Sequence, residues 1–361
     1  MRVQAMVLCF VVVWGMQVVV VQAHDGWIQA NTPITARGET VYVDMLFGNH
    51  TQEHRSYRID GQWPSASVFV TDARGLKTDI TATRFYTGEP ATESAPVRNN
   101  GFVASFRTSL LGISIVNAEG DSVYKGTTST TRTLRSAKAF VAVSDIPVRE
   151  RVAQLKQFSR VVTPDRLELI PISSPVAIQP GQTLTVQLVR QGMPVANTPV
   201  SLIRRSINND PITKNTDESG KVSFIVGSAD YYLLRAKIER TLAAPIAIGE
   251  HIVQKETHEA TMTVIVQNAQ PAFSLEATTA TATGEVNGTM LPAHAMFIKN
   301  GVAHLVSTVA RTYVNESLSE ASVPLRALVT KHGGVVEYLP AMGPVPAHIV
   351  VSLPQKSAHE K

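Results

Sequence analysis

The sequence predicts a mainly β protein: two tandem β-sandwich (immunoglobulin-like) domains followed by a small α+β module. Three observations carry that expectation. Apolar and polar residues alternate in short runs bounded by turn formers through most of the chain, as in strands with one buried face. Between 166 and 268, strand and turn units recur about every ten residues, the rhythm of an immunoglobulin-like sandwich. No long amphipathic helical series competes, and 361 residues are enough for two or three domains.

The first element is a leader over 1–23. Arg2 opens a short n-region, an apolar run extends from Ala5 to Val21, and Val21-Gln22-Ala23 supplies small residues before a cut. An uncleaved anchor competes, because about 17 apolar residues can just span a bilayer. Gln17 and Gly15 inside the run favour the cleaved signal. Cleavage after Ala23 makes His24 the first residue of an exported protein, periplasmic or at the cell surface. Cys9, the only cysteine, leaves with the leader, so the mature chain has no disulfide and no thiolate ligand.

The N-terminal sandwich covers 24–146, with strands at Thr40–Phe47, Ser67–Val70 and Gly101–Phe106. A linker helix is expected within 147–165, where Pro147 suits a helix start and Val148, Val152 and Leu155 have helical spacing. The second sandwich spans 166–268. Pro180-Gly181 turns into Thr183–Val189, Gly192-Met193-Pro194 precedes Thr198–Ile203, and Asp217-Glu218-Ser219-Gly220 turns into Val222–Val226. After a linker at 269–282, a module at 283–353 shows a short helix stopped by Gly333-Gly334 and a strand at Val335–Tyr338, ahead of a tail at 354–361.

Several function classes fall away. The net charge of +4 comes without a basic run or interleaved aromatics, so no nucleic-acid partner is expected. There is no Gly-x-Ser-x-Gly elbow, no His-Glu-x-x-His helix, no phosphate-cradling loop and no dinucleotide fingerprint. The expectation is a protein that is not an enzyme and takes no small-molecule organic cofactor. The one enzymatic idea is a copper brace, built from a terminal histidine and a second histidine on a sandwich, with Tyr42 or Tyr57 on its axis; nothing else in the chain matches it.

The chemistry-bearing residues are His24, His50 and His54. A terminal histidine offers an α-amine and an imidazole that close one chelate ring, which no internal histidine can do. His50 and His54 share a face on a regular strand and can converge on one ion from a loop. Such nitrogen donors suit nickel, cobalt or copper, with Asp25 or Glu53 as a source of oxygen. Arg55 and Arg58 lower the local preference for a cation. His251 and His258 flank a hairpin with Glu250, Glu256 and Glu259, where a solvated edge is preferred to a second metal patch. His294, His304, His332 and His348 have no ligand spacing and read as structural. Trp27 and Trp63 read as core or rim packing of the first sandwich rather than a sugar platform. Asp72-Ala73-Arg74-Gly75 and Asp217-Glu218-Ser219-Gly220 read as hairpin turns rather than calcium loops.

Residues 24–268 resemble an exported domain-of-unknown-function family that includes periplasmic accessory components of nickel and cobalt uptake transporters. The resemblance is carried by Ala23-His24-Asp25-Gly26-Trp27-Ile28, by Leu46-Phe47-Gly48-Asn49-His50 with Glu53-His54-Arg55, and by Ser136–Ser144 as a domain end. It implies metal ligation by His24 and His50, with His54 as a third candidate, and a membrane metal transporter as partner. The C-terminal part resembles the small envelope repeat named after the N-terminal domain of copper amine oxidases, through Val323-Pro324-Leu325-Arg326-Ala327-Leu328 and Gly333-Gly334-Val335-Val336-Glu337-Tyr338. That repeat implies neither catalysis nor copper. The alternative is a non-catalytic structural or adhesive cell-envelope protein whose C-terminal module docks to a surface component.

Overall fold

The structure is a computed structural model and describes residues 25–48, 63, 66–89, 98–205, 211–268, 273–279, 282–286, 289–314, 317–341 and 346–353. Among them the chain is mainly β. The first region contains β1 (Asp25–Ala30), β2 (Ile34–Thr35), β3 (Thr40–Gly48), β4 (Ser67–Thr71), β5 (Lys77–Asp79), β6 (Phe85–Glu89), β7 (Arg98–Arg107), β8 (Gly112–Lys125) and β9 (Thr130–Val143). The second contains β10 (Leu167–Pro171), β11 (Thr183–Arg190), β12 (Met193–Pro194), β13 (Pro199–Arg204), β14 (Ile212–Asn215), β15 (Lys221–Ile225), β16 (Asp230–Ile248) and β17 (His251–Val266).

Two sandwiches form, but they share a sheet. A four-stranded sheet ordered β1-β3-β7-β6 covers one part of a nine-stranded sheet, and a second four-stranded sheet built on β10, β11, β12 and β15 covers another. The large sheet runs β14-β13-β16-β17-β9-β8-β4-β5, with β2 also on β9. Parallel pairing of β17 with β9, Lys255–Met262 against Thr131–Lys138, fuses the two halves.

The consequence is legible residue by residue in β8 and β9. Side chains alternate between the faces of a sheet, and both faces are covered here. Ile113, Ile115, Phe140 and Ala142 enter the second core. Val116, Ala118, Ala139 and Val141 enter the first. A strand buried on both faces reads as a near-continuous apolar run, which is what Ala137–Val143 presents with Lys138 as its one charged residue. Trp63 lies fully buried in the first core, and Trp27 packs with Leu46 against Ile203 and Leu233 of the second region.

The expected linker helix is a single turn, α1 (Arg149–Val152). Val152 is buried in the second core and Leu155 packs on it, so this stretch serves as a lid on that sandwich rather than a free spacer. The C-terminal module has its own core, formed by β18 (Phe273–Thr278), β19 (Gly284–Val286), β20 (Thr289–Met290), β21 (Met296–Lys299), β22 (Val302–Val306), α2 (Ser307–Tyr313), β23 (Ser322–Pro324), α3 (Leu325–Lys331), β24 (Val335–Leu339) and β25 (His348–Leu353). The helix and strand expected near 323–338 are α3 and β24, and Gly333 ends the helix at φ +73°, where a side chain would be strained. β18 lies in the stretch read as a linker and pairs with β25. Its alternating Phe273, Leu275 and Ala277 carried that signal.

Candidate metal centre

All three candidate ligands, His24, His50 and His54, lie outside the described residues, as do Glu53 and the leader. Their flanks do not. β1 pairs antiparallel with β3, and Asp25 stands opposite Gly48 at the end of that ladder. Asp25 and Gly48, the described residues nearest His24 and His50 in sequence on this side, are therefore held together at the end of the β1–β3 ladder.

That end is fixed by a buried ionic network. The Asp25 carboxylate, 1% exposed, accepts a hydrogen bond from Arg235 Nη1 at 2.8 Å and lies 2.8 Å from Lys237 Nζ. The backbone N–H of Gly26 donates to Glu259 Oε1 at 2.9 Å, and Thr261 Oγ1 donates to the Gly26 carbonyl at 2.8 Å. Glu259 in turn lies 3.5 Å from Lys237 and 3.6 Å from Arg135. Burial pulls the Lys237 ammonium down, but the charges of Glu259 and Asp25 outweigh it and hold its pKa above the ordinary lysine value. Gly26 is required by packing: a Cβ there would stand 2.9 Å from the Trp63 ring.

This network corrects one expectation. Asp25 is not a spare oxygen ligand, because its carboxylate is committed to Arg235 and Lys237. Arg235 and Lys237 were not singled out in the sequence, and Glu259, read there as part of a solvated hairpin edge, is buried. Their signal was charge placed on alternate positions of strands otherwise rich in apolar residues, which marks a face meeting another charged group rather than water.

Among the described residues no group of three or more histidine, cysteine, aspartate or glutamate side chains is placed to hold a metal ion. His251 does sit at the turn of the β16–β17 hairpin, opposite Ile248. His258, read as part of a solvated hairpin edge, is instead buried within β17, 3.5 Å from Glu256. The hairpin is longer than the local spacing suggested, so its middle crosses the shared sheet. Burial, with the nearby Arg190 charge, pushes the His258 imidazole below its ordinary pKa, which favours the neutral ring. His304 stacks on Phe297 with ring centroids 5.5 Å apart. The two Asp-led turns are as expected: Asp72 accepts from the N–H groups of Arg74 and Leu76, and Asp217 from those of Ser219 and Lys221.

Comparison with known proteins places these observations. A family model described as "Domain of unknown function (DUF4198)" matches residues 21–240. No curated protein matches the chain. Among solved structures, the D0-D1 domain of intimin aligns at 15% identity over 66% of this chain and 96% of that one, with a TM-score of 0.18. A DUF4785 family protein from Legionella pneumophila aligns at 13% identity over 58% and 51%, with a TM-score of 0.21. FdeC, an adhesin of Escherichia coli, aligns at 14% identity over 91% and 88%, with a TM-score of 0.17. At such scores these similarities carry no argument, and the β architecture rests on the strands described above.

Proposed function

The chain belongs to the DUF4198 family of unknown function, and from that premise we propose that it is an exported envelope protein that binds a divalent transition metal. Nickel, cobalt or copper would be held through the mature N-terminal histidine, as an accessory to metal uptake or handling beside a membrane transporter. The observation that supports this is the pairing of Asp25 with Gly48. His24 precedes Asp25 by one residue and His50 follows Gly48 by two. In the sequence both histidines thus flank a pair of positions whose Cα atoms stand about 5 Å apart at the end of the ladder. The buried salt links of Asp25 keep the start of β1 from fraying.

The donor set would be the α-amine and imidazole of His24 with the imidazole of His50, and His54 as a third candidate four residues on in sequence. Mixed nitrogen donors of this kind suit late first-row divalent ions. The amine and imidazoles must be neutral to ligate, so binding weakens on acidification as they take up protons. The test is calorimetric titration of Ni²⁺, Co²⁺, Cu²⁺ and Zn²⁺ into protein beginning at His24, with a copy carrying one preceding Gly. Micromolar or tighter binding at one ion per chain, lost in the copy, is expected. Absence of binding by either form would leave the second reading, a structural or adhesive envelope protein, which is favoured by the fusion of two sandwiches into one stiff body.

A further inference from the structure

Three buried polar side chains lie beside the second core. Asn117 on β8 is 0% exposed, Lys138 on β9 is 2% and Glu168 on β10 is 1%. Asn117 and Lys138 stand directly opposite each other in the antiparallel β8–β9 ladder, so both side chains leave the sheet on the same face. It is the face that gives Ile115 and Phe140 to the second core. Cβ atoms of such pairs stand about 5 Å apart, a span that a lysine side chain covers.

Lys138 forms an ion pair with Glu168, and its Nζ donates to the Leu169 carbonyl at 3.2 Å. Glu168 also accepts from the backbone N–H of Val162 at 2.8 Å and of Thr163 at 3.3 Å. Asn117 donates through Nδ2 to Glu119 Oε1 at 2.8 Å, while its buried Oδ1 has no hydrogen-bond partner. A structural ion pair accounts for Lys138 and Glu168. It does not account for an orphan amide carbonyl facing the lysine across the ladder.

We propose that Lys138 and Asn117 are joined by an intramolecular amide bond, formed without any other protein once the core has closed, with Glu168 as the catalytic acid–base. Lys138 passes a proton to Glu168 and attacks Asn117 Cγ as the free amine, forming the Nζ–Cγ bond. Glu168 gives that proton to Nδ2 and takes one from Nζ as the Cγ–Nδ2 bond breaks. One ammonia departs, nothing is oxidised or reduced, and Glu168 ends protonated. Glu119 is a positioning residue that holds the departing nitrogen. Burial pushes the Lys138 ammonium below its ordinary pKa against the pull of Glu168, which makes the amine that attack requires easier to reach than for a solvated lysine.

The experiment is intact-mass measurement of the denatured wild-type protein followed by peptide mapping. The expected mass is that of the sequence isolated, leader on or off, less one ammonia, with a branched peptide joining the Asn117 and Lys138 segments. Glu168→Gln and Lys138→Met should each restore the full mass. A wild-type chain at its full sequence mass overturns the proposal, and the wild-type measurement stands even if a variant fails to fold. An ammonia loss with the two residues in separate peptides, as from a cyclised asparagine, also overturns it. A link that persists in Glu168→Gln overturns the role given to that carboxylate.

Discussion

Where the two sandwiches meet, Thr131–Lys138 of β9 runs beside Lys255–Met262 of β17 in a continuous backbone ladder, and both faces of the sheet are covered. Where the second sandwich meets the C-terminal module, side chains make the link. Glu337 of β24 reaches Arg204, Ser228 Oγ and, at 3.0 Å, the Ser228 backbone N–H, while Ser352 Oγ donates to Asn268 Oδ1 at 2.5 Å. Between them a cleft of about 410 Å³ remains, lined by Leu202, Ile225, Tyr232 and Val335 among others. Burial has pushed the Tyr232 hydroxyl up to about 12. The first join cannot open without exposing two cores and a row of backbone groups. The second can open at the cost of the Glu337 cluster and the Ser352–Asn268 hydrogen bond, because the module keeps a core of its own.

The largest test of that contrast is Phe140→Ala. Phe140 belongs to the second core, and truncating a buried phenylalanine costs about 3–5 kcal/mol. Trp63 reports on the first core and Trp27 on the contact with Ile203 and Leu233, so tryptophan fluorescence and far-ultraviolet circular dichroism should shift together in one melting transition. A tryptophan signal that keeps its wild-type midpoint would show the sandwiches to be independent.

Acidification should act next on the seam. Arg132 of β9 pairs with Asp121 of β8 and lies 3.7 Å from Glu256 of β17, while Arg166 and Arg240 hold the same two carboxylates. Burial raises both carboxyls, but the hydrogen bonds and charges of these arginines outweigh it, and both sit below their ordinary values. The folded state then binds fewer protons than the unfolded one. The stability gained is fully present above about pH 5 and is lost progressively as pH falls through the unfolded and then the lower folded values. A melting temperature that stays level down to about pH 3 would remove this network from the account.

The smallest expected effect is that of Glu337→Gln, about 1 kcal/mol or less for a partly solvated ion pair. Its signature is local: faster proteolysis between Val266 and Phe273 with an unchanged melting midpoint for the sandwiches. Loss of that midpoint together with the module would place the two joins in one class.

Much of the local structure was legible. Thr40–Phe47, Ser67–Val70, Thr183–Val189 and Val222–Val226 fall within β3, β4, β11 and β15 give or take a residue, because alternation and flanking turn residues act over a few positions. The Asp72 and Asp217 turns followed from side chains that bond their own backbone two and four residues on. The helix after Pro147 was overstated, since Val152 and Leu155 are drawn into the second core before a second turn forms. The candidate ligands His24, His50 and His54 are read from residue type alone and lie outside the described residues, so the comparison falls on their flank. Nothing local says that Asp25 meets Arg235 and Lys237, more than two hundred residues away.

The sequence by itself determined that the chain is mainly β, where most strands and turns lie, and that residues 24–361 offer no thiolate donor. Those properties depend on the period of apolar residues and on composition, which are local. Only the tertiary structure decided that β9 and β17 pair in parallel, that two sandwiches share one sheet, and that Asn117 faces Lys138. Backbone N–H and C=O groups are the same in every strand, so pairing is chosen by which faces can be buried together across the whole chain.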